Sequence, residues 1–437
     1  MRHLRVPSSP PAHSLAAHSV AGLHAPNPVP VLYVCYLEAD EPLVATQVVA
    51  YLRGLARLEF EPHLLTFEKQ ADTSSRRSDI ATRLRADGIR WHSLRYHKSP
   101  SLPATLFDIT QGALLARRLC REWGIRLVHG RSHVGAAIAE LATSRLRVPF
   151  VFDVRGLLAD EYVDSGNWRP GGLKYRLTKG AERHFLRRAD GLVFLTRTVT
   201  DDLRHEEALT LDANVEIIPC CVDTAAFRDA AENRARERSS RGWDDRTKVL
   251  LYVGKLGGWY LVDETVRLFA TARLADDSWR LQVLTQSDPA PLFAALARAN
   301  LPSSAYSVER AAPDEARRIM VAADVGLSLI RTCRSKRSSS PTKVGEYLAA
   351  GLPVVSTPAI GDCDSIFASG ELGVILNRLD ENGRTTVVKR LRALIGGATP
   401  ERCRSYAERE LSLMAVGVPR YAHLYRRVIR GLRGRAR

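Results

Sequence analysis

The sequence has no apolar run approaching the roughly 18 residues that a membrane-spanning helix needs. Its first residues, rich in Pro, Ser, His and Ala, lack the continuous apolar stretch of a secretory signal, which predicts a cytoplasmic protein. The seven cysteines (35, 120, 220, 221, 333, 363 and 403) form no C-x-x-C pair and no metal-ligand spacing, and the adjacent Cys220 and Cys221 are badly placed to bridge each other. They are expected to be thiols in a reducing compartment, so a disulfide scaffold and a zinc site are both set aside. No G-x-G-x-x-G follows the first predicted strand, which argues against a dinucleotide-dependent oxidoreductase. The formal net charge of +16 comes with no zinc spacing, RNA-binding sheet signature or helix-turn-helix pattern. Its expected partners are therefore anionic lipid headgroups or phosphorylated substrates, with no nucleic acid.

What is present is an ordinary globular composition, 45% hydrophobic and 26% charged, over 437 residues, a length typical of two domains. Residues 1–28 show no periodicity and are predicted to be a disordered tail, with His13, His18 and His24 scattered through it. From Val31 onward, apolar runs alternate with amphipathic segments. Strands are predicted at 31–37, 63–67, 89–94, 127–129, 149–154, 191–196 and 215–219, with helices near 43–58, 76–87, 105–123, 134–145 and 175–188. Strands separated by helices imply parallel βαβ units, hence a Rossmann-like sheet. A second such series starts at Val249, and the fold class is α/β. Residues 157–174 are turn-rich and polar, predicting a mobile loop that presents Asp160 and Glu161. The charged, weakly periodic residues 228–246 are predicted to be a hinge. Residues 400–437 read as helices, and the Arg-rich stretch Arg426–Arg437 is suited to anionic lipid or is simply a solvated helix end.

The densest signal is Ser338–Thr357. Ser340 is placed to cap a helix and Pro341 sits where a missing N–H costs nothing. Val344, Tyr347 and Leu348 give one apolar face, Gly351 suits a left-handed C-terminal position, and Pro353 prevents continuation. A helix start favours a bound phosphate. Lys343 adds charge there, Glu346 one turn on can accept from sugar hydroxyls, and Arg331, Arg334, Lys336 and Arg337 make the approach positive. The alternative is a surface helix behind a solvated basic loop. Gly254-Lys-Leu-Gly-Gly258 is a turn that lets backbone approach a ligand. Asp153 and Arg155 fall at or just past a strand's carboxyl end, where open α/β sheets place ligands; the alternative is an Arg–Asp pair that fixes the loop. Asp362-Cys-Asp364 is a D-x-D of the metal-binding kind, but its place downstream of the strand predicted at Pro353–Thr357, rather than at a ligand-facing strand end, marks it as structural.

The run P-T-K-x-x-E-Y-L-A-x-G-L-P-V resembles the donor-site signature of nucleotide-sugar-dependent glycosyltransferases of the GT-B fold, specifically the retaining family four. A-D-G-L-V-F-L-T, C-C-V-D-T-A-A-F and P-F-V-F-D-V-R-G are similar to further segments of that family in the same order, so the resemblance covers roughly residues 30–425. It implies two Rossmann-like domains facing across a cleft, an acceptor domain at 29–219 and a donor domain at 220–399, with the last helix crossing back. It also implies that Glu346 holds the nucleotide ribose. The helix start with Ser340, Thr342 and Lys343 would face the diphosphate, as would the loop carrying Gly254, Lys255 and Gly257. Arg155 stands where the family has a His beside the donor sugar, making Asp153 and Arg155 the candidate catalytic pair, and Ser338 stands where the family has its first Glu. The implied reaction moves a sugar from a nucleoside-diphosphate donor to a glycan or lipid-linked acceptor with retention, the leaving phosphate taking the acceptor proton. It needs no metal and no cofactor, and belongs to cell-envelope polysaccharide or glycolipid synthesis at the inner membrane surface. A non-catalytic scaffold and a sugar-nucleotide 2-epimerase are the alternatives.

Overall fold

The computed structural model describes residues 28–69, 74–206 and 214–435, so nearly all of the predicted 1–28 tail lies outside the described residues. Two sheets, both wholly parallel, form the molecule. The first has strands β1 (Val29–Val34), β2 (Phe60–Glu68), β3 (Arg90–Arg95), β4 (Leu127–Arg131), β5 (Phe150–Val154), β6 (Gly191–Phe194) and β7 (Val215–Ile217) in the order 3-2-1-4-5-6-7. The second has β8 (Lys248–Val253), β9 (Trp279–Leu284), β10 (Tyr306–Glu309), β11 (Val325–Ser328), β12 (Val354–Ser356) and β13 (Gly373–Ile375) in the order 10-9-8-11-12-13. In each sheet the order reverses once, beside β1 and beside β8. Such a reversal opens a crevice at the strands' carboxyl ends.

Alternate residues of each strand feed two apolar layers. Val31, Tyr33, Leu127, Val151 and Val193 pack on one face of the first sheet against Leu52, Leu55, Leu424 and Val428. Leu32, Val34, Val128, Phe152 and Phe194 pack on the other against Ala136, Ile138 and Leu186. Each large apolar side chain buried this way stabilises the domain by about 1.5–3 kcal/mol. Leu424 and Val428 belong to the last helix, Val418–Arg435, which therefore completes the first domain's core after the chain has built the second. The outgoing and returning segments run side by side, where Val222 N–H donates to Leu411 O and Leu413 N–H to Val222 O, both at 2.8 Å.

Two predicted loops are corrected. Residues 228–246 fall largely in helices Ala225–Glu232 and Arg234–Ser240 and are no hinge. Arg234 and Arg238 bind Asp324 and the carbonyl oxygens of Val321, Ala322 and Ala323, which fastens these helices to the second domain. Residues 157–174 contain the helix Leu158–Asp164, and Asp160 is buried against Lys179 Nζ at 2.7 Å instead of lining an open loop.

The domains meet through charge. The basic run of 331–337 spans a short helical turn, Arg334–Ser338, that docks on the first domain. Arg337 forms a two-pronged pair with Asp202 at 2.6 and 2.7 Å, and Arg334 reaches Glu206 at 2.9 Å. Lys336 Nζ lies 3.6 Å from Glu161, and Ser335 N–H donates to Asp164. The D-x-D takes part. Asp362 accepts from the N–H groups of Arg197 and Thr198 at the start of helix Arg197–Glu206, and Asp364 accepts from Ala359 N–H.

Candidate functional site

The helix foreseen in the 338–357 stretch is Thr342–Ala350, and Gly351 follows it at φ 88°, the left-handed position its sequence suggested. The N-terminal cap is Pro341, with no side-chain hydrogen bond to the first turn. Ser340 is thus corrected as a cap: its hydroxyl accepts from Cys220 N–H at 3.0 Å, across the domain junction. Val344 N–H donates to Pro341 O at 2.9 Å, which leaves the N–H groups of Thr342 and Lys343 for other partners.

The helix is held by Tyr347, which is fully buried. Its hydroxyl accepts from Val253 N–H at 2.8 Å, at the last residue of β8. Gly326 on β11 makes room for the ring, since a Cβ there would lie 2.3 Å from it. Directly after Val253, Gly254 adopts φ 134°, which side-chain-bearing residues avoid, and turns the chain over Lys343. A Cβ on Gly254 would sit 3.0 Å from Lys343 Nζ.

Lys343 is the centre of the site. It is 8% exposed, and its Nζ has no hydrogen-bond partner among the described residues. The ammonium lies 4.3 Å from the centre of the Tyr252 ring and 4.2 Å from that of Tyr260, a pair of cation–π contacts. Burial pulls its pKa down to about 7, against the opposing pull of Glu346. Glu346 is half-buried one turn on, and burial raises its carboxyl pKa against Lys343 and Arg317. A buried ammonium without an acceptor, at a helix start, is arranged for an anion.

The other donor-side candidates gather less tightly. Thr342 is the first helical residue and half-buried. Gly257, at φ 79°, is exposed. Lys255 is exposed too, and its carbonyl oxygen accepts from the Tyr252 hydroxyl. Lys336 comes close to this turn, its Nζ 4.1 Å from the Trp259 ring centre. Trp259, Tyr252 and Tyr260 carry no site signal in the sequence, because nothing in their spacing announces that their rings meet Lys336 and Lys343. Arg331, Arg334 and Arg337 do not form the open positive approach expected of them. Arg331 donates to Asp164 O, and the other two are paired with carboxylates.

Asp153 and Arg155 lie in the other domain. Asp153 is fully buried, and its Oδ2 accepts from the hydroxyls of Tyr33 and Tyr421 at 3.2 Å each. Burial would raise its pKa, but Arg155, His129 and Arg131 outweigh that and hold it below the usual carboxylate range. Arg155 is linked to Ser340 of the second domain through two bonds: its Nη2 donates to Cys220 Sγ at 3.3 Å, and Cys220 N–H donates to Ser340. Ser338 is buried, its hydroxyl donating to Ser335 O.

Residues 44–221 match the model of the glycosyl transferase 4-like domain. The chain is similar to the alpha-D-kanosaminyltransferase of Streptomyces kanamyceticus, 31% identical over 146 residues, which are 32% of this chain and 36% of that protein. It thus spans about a third of that curated relative's length. Among solved structures it resembles a glycosyltransferase of Rickettsia africae (TM-score 0.69, 14% identity, covering 92% of this chain and 99% of that one). It also resembles HepE of Anabaena in complex with UDP and glucose (TM-score 0.64, 11% identity, 93% and 100%). At such identities the likeness is one of fold.

Proposed function

We propose that this chain, which belongs to the GT-B glycosyltransferases of the family-four type, moves a sugar from a nucleoside diphosphate held by its second domain to an acceptor held by its first. The observation that carries this is Lys343. Its partnerless ammonium lies beside the start of a helix and under the Gly254 turn, and a diphosphate would supply the missing acceptor. Glu346, one turn along, is the residue for the ribose hydroxyls. The HepE structure contains UDP, which makes uridine nucleotides the first donors to test.

Cleaving the sugar–phosphate bond leaves negative charge on the diphosphate. Fixed donors aimed at such charge contribute about 3–4 kcal/mol each in water-excluded sites. The helix start and Lys343 act in this way, so the transfer needs no metal. With the leaving phosphate oxygen taking the acceptor's proton on the same face, the anomeric configuration is retained. Asp153 acts as a positioning residue, because its carboxylate is sealed from the cleft and orients Arg155 and Arg131. The acceptor is a glycan or a lipid-linked glycan of the cell envelope, met at the inner membrane surface.

Calorimetric titration of UDP, GDP, ADP and dTDP in EDTA tests the donor site. One nucleotide is expected to bind wild type and to lose at least about tenfold, some 1.4 kcal/mol, in Glu346→Ala. Failure of every nucleotide to bind the folded protein would overturn the proposal.

A further inference from the structure

At the carboxyl ends of β4 and β5, two guanidiniums share a single carboxylate. Arg131 Nη1 lies 3.7 Å from Asp153 Oδ2, and Arg155 Nη1 lies 3.6 Å from Asp153 Oδ1. Both separations exceed hydrogen-bond range. The side chains of Arg131 and Arg155 are only 7% and 11% exposed. Among the described residues, no other carboxylate lies within ion-pair distance of either. Asp153 Oδ2 is already taken by Tyr33 and Tyr421, while Asp153 Oδ1 and Arg131 Nη1 have no hydrogen-bond partner. His129 is stacked on Tyr33 at 4.2 Å, and burial pulls its imidazole pKa down against the opposing pull of Asp153. The cluster therefore carries one positive charge more than it neutralises, in a place where an unpaired charge is costly.

The fold directs this excess to the cleft. Arg131 ends β4, and the chain turns at once through Ser132, at φ 60°, into the twelve-residue helix Ser132–Thr143. Gly130 permits that turn, as a Cβ there would lie 2.5 Å from Gly135 O. Arg131 is thus the residue that leads directly into the helix start, whose first N–H groups carry a partial positive charge. The strand ends lie beside the β1/β4 reversal, the crevice in which open sheets bind ligands. The diphosphate has its own cations in the other domain, so this charge serves a different group.

We propose that Arg131 and Arg155, with the start of helix Ser132–Thr143, bind an anionic group, a phosphate or carboxylate, on the substrate that occupies the first domain. This deepens the function proposed above and rests on it. The anion belongs either to the acceptor or to an acidic donor sugar. It is recognised by charge and by the paired N–H donors of a guanidinium.

The test titrates inorganic phosphate, glucose 6-phosphate, glucuronate and glucose into wild type, Arg131→Gln and Lys343→Gln. The anionic probes are expected to bind wild type at least tenfold more tightly than glucose, to lose that advantage in Arg131→Gln and to keep it in Lys343→Gln. Nucleoside diphosphate should behave oppositely, kept by Arg131→Gln and lost by Lys343→Gln. Failure of nucleotide binding would thus strike the donor site alone, and failure of the anion pattern this site alone. UDP-glucuronate against UDP-glucose, compared in the two variants, separates an acidic donor sugar from an anionic acceptor. Removing an excess charge should also raise the melting temperature of unliganded Arg131→Gln. If that variant does not fold, stabilisation of Lys343→Gln by phosphate over chloride at equal ionic strength decides the matter. Anions binding no better than glucose, or losing affinity in Lys343→Gln but not in Arg131→Gln, would overturn the proposal, as would absence of that phosphate-specific stabilisation.

Discussion

The Tyr347 hydroxyl accepts a hydrogen bond from the Val253 N–H at 2.8 Å, joining the middle of the helix Thr342–Ala350 to the strand end that leads into Gly254. One side chain thereby fixes two parts of the site, the helix start and the turn above Lys343. Tyr347→Phe keeps the packed ring but leaves a buried N–H unsatisfied, at a cost of about 1–3 kcal/mol. Denaturant unfolding should show that loss, and the nucleotide Kd should rise as the turn loosens. Unchanged stability would mean the bond does not order the turn.

The pH dependence follows from Lys343. Its pKa falls from an ordinary value of 10.5 to about 7 in the folded protein. Between these values the unfolded chain binds the extra proton, so stability rises with pH across about 7 to 10.5, and the penalty is fully present below 7. Nucleotide binding has the opposite sign, because the diphosphate favours the ammonium. Affinity for a nucleotide sugar should fall by about tenfold or more from pH 6.5 to 8.5. Calorimetry at those pH values checks this, and Lys343→Gln should bind weakly with a flat profile.

Much of this arrangement was legible in the residues. The alternation from Val31 to Thr357 announced two parallel sheets, because runs such as VLYV and FVF are apolar on both faces. Gly351 and Pro353 marked the end of the helix Thr342–Ala350 correctly. Ser340 misled because capping is inferred from neighbours in sequence, whereas its hydroxyl is claimed by Cys220, 120 residues away. The basic run of 331–337 misled for the same reason: its carboxylate partners Asp160, Glu161, Asp202 and Glu206 lie in the other domain. Residues 157–174 looked like a loop because the helix Leu158–Asp164 is only seven residues long and carries three carboxylates, Asp160, Glu161 and Asp164. It is held by ion pairs with Lys179 and the 334–336 turn rather than by an apolar face.

Those cross-domain pairs lead to a further expectation. Arg334–Glu206 and Arg337–Asp202 are partly exposed, and such pairs contribute about 0–1 kcal/mol each. The double variant Arg334→Gln/Arg337→Gln should therefore fold with little loss of stability. Its domains should separate more readily, giving a larger radius of gyration in small-angle scattering without nucleotide, as should wild type at high salt. An unchanged radius would show that the remaining contacts, among them those of Asp362, Ser335 and Lys336, hold the domains together without these two pairs.

The most direct measurement is release of free nucleotide from a panel of UDP-, GDP-, ADP- and dTDP-sugars, in EDTA, by wild type, Glu346→Ala and Lys343→Gln. The predicted result is release from one donor class by wild type, reduced at least about tenfold in each variant, equivalent to about 1.4 kcal/mol of lost transition-state stabilisation. Equal release by wild type and both variants would contradict the assignment of the site to the helix Thr342–Ala350.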